Sequence, residues 1–324
     1  MRTYRDLLCV AFAVTVVINA VLNVAQDTLN ALISFLATLC GVLVFFHFSI
    51  LFSANAKGIH IYIITHLLTF IRILPFYGER IIGMALYTIA DLHLSTLSST
   101  NKSMEKFGHR WDSYMQRIEA NWRHLIGEED TVIIPGDVSW ALSLEEATSD
   151  LKFIDSLPGK KIIGEGNHDF WWMTMKKHEA HFEKNGIKTI SFLFNNAHET
   201  DDFVIAGTRG WFLDEKIQNA VGEVDFAKLV AREELRLKTS LERASELVAD
   251  TGREIIVFMH FPPVFGDFVA EGQIALLKQY GISRVYYGHI HGNYSIPPHF
   301  CYDGINFHIV SADYLNFTPK FIYK

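Results

Sequence analysis

The alternation of apolar and polar positions divides the chain into two unlike parts. Residues 7–25 (LLCVAFAVTVVINAVLNVA) and 28–54 are apolar runs without a charged side chain. Residues 59–77 form a weaker third run, interrupted by His60, His66 and Arg72. A bilayer core takes about 20 helical residues, so residues 1–83 are expected to be a hydrophobic N-terminal helical segment with two or three membrane helices. Arg2 and Arg5 place the N-terminus on the cytoplasmic side, and Lys57 does the same for the second loop. With the third run lying in the interface, the expectation is a membrane-anchored chain whose remainder is cytoplasmic; with that run spanning, the remainder lies outside. A signal peptide explains the first run only.

From Met84 onward the period changes. Short runs rich in β-branched and aromatic residues read as buried strands: ALYTIA (85–90), TVIIP (131–135), KIIGE (161–165), FVIAG (203–207), EIIVFM (254–259) and RVYYG (284–288). Helical stretches lie between them. Ser143 and Glu146 stand in capping-box spacing at the head of a run that stops at Pro158-Gly159. Residues 103–126 carry Phe107, Trp111, Tyr114, Ile118, Trp122 and Leu125 at helical spacing, and residues 223–250 are rich in helix formers. The pattern predicts an α/β domain over residues 84–324.

Composition sharpens the division. The chain has 324 residues, 20% of them charged, and a mean hydropathy of +0.15. Residues 1–83 carry a net +2; the whole carries −7, which leaves −9 for residues 84–324. An acidic body argues against a nucleic-acid partner, which needs clustered Lys and Arg. Cys9, Cys40 and Cys301 form no C-x-x-C pair, so neither a disulfide framework nor a thiolate zinc site is indicated.

The chemistry lies where the strands stop. ALYTIA runs into Asp91-Leu92-His93, TVIIP into Gly136-Asp137, and KIIGE into Gly166-Asn167-His168-Asp169. EIIVFM ends in His260, and RVYYG in His289-Ile290-His291. Each residue alone reads as a turn, a cap or a packed histidine. Together they deliver Asp, Asn and His at five carboxyl ends, where open α/β sheets place ligand sites. The donor set is carboxylate, imidazole and one amide oxygen, without sulfur, which suits Mn, Fe, Zn, Co or Ni better than Ca. Asp91, His93, Asp137, Asn167, His260, His289 and His291 are too many ligands for one ion with open positions. They suit two divalent ions about 3.5–4 Å apart, with Asp137 as the bridge. FVIAG ends in Thr208-Arg209-Gly210-Trp211; Arg209 is a candidate for a bidentate phosphate contact, with a salt bridge as the alternative. Trp140, Trp171 and Trp172 follow the ligand blocks and read as core more readily than as a stacking platform.

The ordered set D-x-H, G-D, G-N-H-D, H, G-H-x-H resembles the calcineurin-like metallophosphoesterases, and the wording of "MALYTIADLHLS", "VIIPGDVSWALSLEEA" and "GNHDFWW" resembles a bacterial group of predicted phosphohydrolases. The resemblance implies a four-layer α/β/β/α sandwich. It implies one ion on Asp91, His93, Asp137 and His291 and another on Asp137, Asn167, His260 and His289, with manganese the leading candidate. His168 would be the general acid for the leaving group, with Asp169 orienting it, and a hydroxide bridging the ions would attack a phosphate ester. Monoester, diester and pyrophosphate bonds remain open. The competing expectation is a membrane-tethered metal or nucleotide sensor without turnover. Chains of the similar group begin near Met84, and Gly78-Glu79-Arg80 can be encoded by a purine-rich run like a ribosome-binding site, so residues 1–83 are alternatively a misassigned start.

Overall fold

The computed structural model describes residues 84–96, 104–211, 226–249 and 251–323. The expected membrane helices of residues 1–83 lie outside them. Among the described residues, no helix is long and apolar enough to cross a membrane.

Two mixed sheets organise the domain. The first has the order β13-β1-β2-β3-β4, built from β1 (Leu86–Thr88), β2 (Thr131–Pro135), β3 (Lys160–Gly164), β4 (Ile190–Phe192) and β13 (Lys320–Ile322). Strands β1 to β4 are parallel, and β13 closes the edge antiparallel to β1. The second has the order β11-β12-β10-β7-β6-β5, with β5 (His198–Glu199), β6 (Phe203–Thr208), β7 (Glu254–Met259), β10 (Arg284–Tyr287), β11 (His299–Tyr302) and β12 (Ile305–Ile309). Its four central strands are parallel and its two edge strands antiparallel. A small hairpin pairs β8 (Val264–Phe265) with β9 (Phe268–Val269).

Helices connect the strands because parallel neighbours require crossovers. They are α1 (Tyr114–Leu125), α2 (Leu144–Asp155), α3 (Met175–Asn185), α4 (Phe226–Val248) and α5 (Glu271–Gln279). Successive side chains of a strand point to opposite faces, so each sheet feeds two cores. Leu86, Ile133 and Ile162 of the first sheet meet Ile205, Ile256, Phe258 and Tyr286 of the second in a shared apolar layer. Tyr87, Val132, Ile134 and Ile163 face the other way, against Ile118 and Trp122 of α1, Leu151 and Ile154 of α2 and Phe182 of α3. Val204, Val257, Val285 and Phe307 pack against Leu237 and Leu241 of α4 and Ile274 and Leu277 of α5.

The sheets are stitched together at one end. Ala90 N–H donates to Val310 O at 2.8 Å, and Ala312 N–H donates back to Ala90 O at 2.9 Å. The residue just before Asp91 is thereby tied to the chain leaving β12.

One predicted helix is broken. Residues 103–126 form a 3-10 turn at Met104–Phe107, another at His109–Trp111, and only then α1. Gly108 (φ 118°) and Ser113 (φ 51°) adopt left-handed backbone, which ends a helix. Trp111, in the second turn, is buried. The box before α2 forms as expected: Ser143 Oγ accepts from Glu146 N–H, and Glu146 Oε2 accepts from Leu142 N–H.

Lys161 anchors the start of β3. It is fully buried, and its ammonium donates to the carbonyls of Asp155, Leu157 and Gly159. Lys161→Met keeps the apolar stem but orphans these acceptors. A loss of about 2–4 kcal/mol is expected, read as a lower urea midpoint at constant m.

Candidate metal centre

Asp91, His93, Asp137 and His289 have φ of 59°, 45°, 53° and 69°. Left-handed backbone at a non-glycine residue costs about 1–3 kcal/mol. Nine non-glycine residues among those described adopt it, and these four are all sequence-predicted ligands. The strained turns re-aim side chains at the carboxyl ends of β1, β2 and β10 into the seam between the sheets.

Glycine makes the approach possible. A Cβ on Gly166 would stand 2.1 Å from Asp137 N and Oδ1, and one on Gly288 would stand 2.5 Å from Asp91 Oδ2. Any side chain at either position would push the strand ends apart.

All seven expected ligands come together. Asp91, His93, Asp137 and His291 each place a donor atom within 4.8 Å of the others. His93 Nε2 and His291 Nε2 face each other at 3.0 Å. On the other side Asn167 Oδ1 lies 2.7 Å from His260 Nε2 and 3.0 Å from His289 Nδ1. Asp137 Oδ2 stands between the sets, 3.7 Å from His93 Nε2 and 3.5 Å from His260 Nε2.

The electrostatics fit a cation. Burial, and then the Asp169 and Asp91 carboxylates, push the Asp137 carboxyl well above its usual range. Burial opposes the charge of Asp91 too, yet His291 foremost holds it below the ordinary carboxylate range. Burial lowers His93 well below the usual imidazole value, His260 to about 3 and His289 to about 4. Those rings are therefore neutral, with lone pairs available to a metal. Burial works against charge on His291 as well, but Asp91 and then Asp313 lift it to about 10. Converging lone pairs, an uncomfortable Asp137 and a mixed N/O donor set are what transition-metal ions resolve.

Three further carboxylates brace the site. Asp313 accepts from His291 Nδ1 (3.0 Å), Gly292 N–H and Tyr294 Oη, so that His291 Nε2 is the atom turned toward Asp91. Asp150 of α2 accepts from Thr96 N–H and Oγ1 and from Ser139 Oγ, linking the loops that carry His93 and Asp137. The resemblance implies that Asp169 orients His168. Instead, Asp169 Oδ2 accepts from Asp137 and Gly166 N–H, and Oδ1 from Val138 N–H, Ser139 N–H and Trp171 Nε1. Five donors consume this carboxylate, which clamps the β2 loop to the β3 loop; burial still lifts its pKa to about 6.

The His168 ring lies beside the cluster, 5.6 Å from His93 and 4.5 Å from Trp140 between centroids, and the His168 backbone N–H donates to Asp137 Oδ1 at 2.8 Å. Arg209 presents no free fork to phosphate. Its Nη1 donates to Glu165 at 2.7 Å and its Nη2 to Glu233 at 3.4 Å, and Arg236 shares both acids. The salt-bridge alternative describes it, half-sunk between the β3 end and α4. Trp171 is core, Trp172 packs on Phe192, and Trp140 stacks on His93.

The sequence reading missed Asp313 and Asp150. Asp313 follows β12, a strand end that carries no glycine. Asp150 sits in mid-helix on the face of Ala147, Leu151 and Ile154, and a carboxylate on that apolar stripe was the available signal.

Compared with known proteins, residues 84–293 match the family model described as calcineurin-like phosphoesterase. No curated protein matches the chain. Among solved structures, the phosphopantetheinyl hydrolase of Mycobacterium tuberculosis is 16% identical over 74% of this chain and 96% of its own, with a TM-score of 0.45. A protein of unknown function from Aquifex aeolicus is 15% identical over 74% and 96%, with a TM-score of 0.38. A protein of Thermus thermophilus is 11% identical over 72% and 91%, with a TM-score of 0.42.

If Asp169 is a loop clamp, Asp169→Asn turns an amide N–H toward donors. Thermal unfolding of metal-free protein should then show a loss of about 2–4 kcal/mol, whereas His168→Ala should cost under about 0.5. Equal, small effects would instead favour an orienting role for Asp169.

Proposed function

The chain belongs to the calcineurin-like phosphoesterase family, whose members hydrolyse phosphate esters, and from that premise we propose a dimetal phosphoesterase with a four-layer α/β/β/α domain. One ion would be held by Asp91, His93, Asp137 and His291, the other by Asp137, Asn167, His260 and His289. The observation that carries this is the position of Asp137 Oδ2 between imidazoles delivered by both sheets. Manganese heads a list that includes Fe, Zn, Co and Ni. Two such ions would neutralise phosphoryl charge and make hydroxide available near neutral pH, against a pKa of about 15.7 for bulk water.

The chain's own groups supply the rest. Asp169, Asp150 and Asp313 hold the loops, so the donors need little reorganisation during reaction. His168 stands outside both donor sets with its ring beside Trp140. From there an imidazolium N–H can protonate the departing oxygen, an effect worth ~10²–10⁴ in rate.

The test is hydrolysis of p-nitrophenyl phosphate and its bis ester by the full chain with Mn²⁺. EDTA and Asp137→Ala should each abolish turnover. His168→Ala should lower kcat by ~10²–10⁴ on alkyl esters and by less on p-nitrophenyl esters, whose leaving group hardly needs a proton. Metal uptake without turnover on any ester would make the chain a binding protein instead.

A further inference from the structure

Exposed large hydrophobic side chains are ordinarily scattered. Here they are not. Phe107, Leu142, Phe170, Met173 and Tyr294 all lie in the connections that follow β1, β2, β3 and β10, at the end of the sheets that carries the metal cluster. Among the described residues, only Leu235 on α4 and Tyr323 beyond β13 are comparably exposed elsewhere.

One of the five, Phe170, meets His168, and a second, Leu142, follows a residue that does. The Phe170 ring, 58% exposed, meets the His168 ring edge-on at 6.3 Å between centroids. Leu142, 61% exposed, follows two residues after Trp140, whose ring lies 4.5 Å from His168. The proton donor is therefore set among apolar groups. The Asn167 flank is unlike it. There Glu165, two residues before Asn167, meets Arg209, Glu233 and Arg236 in a charged network. The site has one apolar and one charged side.

We propose that the leaving group of the substrate is an apolar alcohol, bound on a shelf formed by Trp140, Leu142 and Phe170 beside His168. This rests on the phosphoesterase reading and extends it to a substrate class. Hydrolysis breaks the P–O bond to that alcohol; water supplies the oxygen on phosphorus, and His168 delivers the proton to the alkoxide. The charged flank then faces the phosphoryl side or the second ester substituent. Covering Leu142 and Phe170 by the alcohol removes apolar surface from water, while a polar alcohol would gain nothing from them.

The experiment uses n-alkyl phosphates from ethyl to octyl, below micellar concentrations, with Mn²⁺ and the full chain. Monoesters or methyl diesters are chosen according to which p-nitrophenyl substrate is turned over. The expected result is a rise in kcat/KM of about two- to fourfold per methylene, since complete burial of a CH₂ gives about fourfold. Phe170→Ser and Leu142→Ser should each flatten that slope, and Leu235→Ser, equally exposed on α4, should preserve it. A flat wild-type series, a glyceryl ester preferred over octyl, or slopes indifferent to Phe170 and Leu142 would overturn the proposal. No turnover of any p-nitrophenyl ester would instead defeat the underlying phosphoesterase reading.

Discussion

The arrangement depends on the cost of gathering carboxylates and imidazole lone pairs in a largely buried seam. Asp91, Asp137 and Asp169 are buried together, and His93, His260 and His289 are held neutral beside them. Left alone, such a set raises the pKa of one acid and forces ring nitrogens to face one another. A site of this kind persists only if the surrounding structure over-determines it. Here that structure is the stitch from Ala90 to Val310 and Ala312, the close packing at Gly166 and Gly288, and four strained backbone positions. Cations are the groups that turn this cost into binding.

The buried acids fall into two groups: Asp91 and Asp137, which stand among the candidate ligands and also accept the His289 and His168 backbone N–H, and those that only brace. Asp91 and Asp137 direct oxygens into the cluster. Asp150, Asp169 and Asp313 accept N–H and O–H donors from the loops and from His291. Buried carboxylates are tolerated in the second role because each is supplied with several donors. The same economy explains Arg209. A guanidinium at this depth requires acids, and Glu165 and Glu233 provide them, so the strand end that bears no metal donor still fixes the β3 loop against the second sheet.

The strands were legible in the sequence because parallel strands buried on both faces read as continuous apolar runs. The candidate ligands at their ends were legible because glycine and Asp, Asn or His recur where those runs stop. The seven side chains lie together in the structure. What stayed hidden has separate physical reasons. The partners of Asp169 are mostly backbone amides, which leave no mark in side-chain spacing. Asp313 and Asp150 act through contacts between residues far apart in the chain. The break at Gly108 and Ser113 was masked because Trp111, Tyr114 and Ile118 are buried whether or not a single helix carries them. Short edge strands such as β5 and β11 have too few residues to show a period.

The most direct measurement is anomalous diffraction at the manganese edge from crystals of the full chain grown with Mn²⁺. Two peaks about 3.5–4 Å apart are expected, with the Asp137 carboxylate between them and His291 and His260 on opposite sides. A single peak, peaks remote from Asp137, or no peak would contradict it.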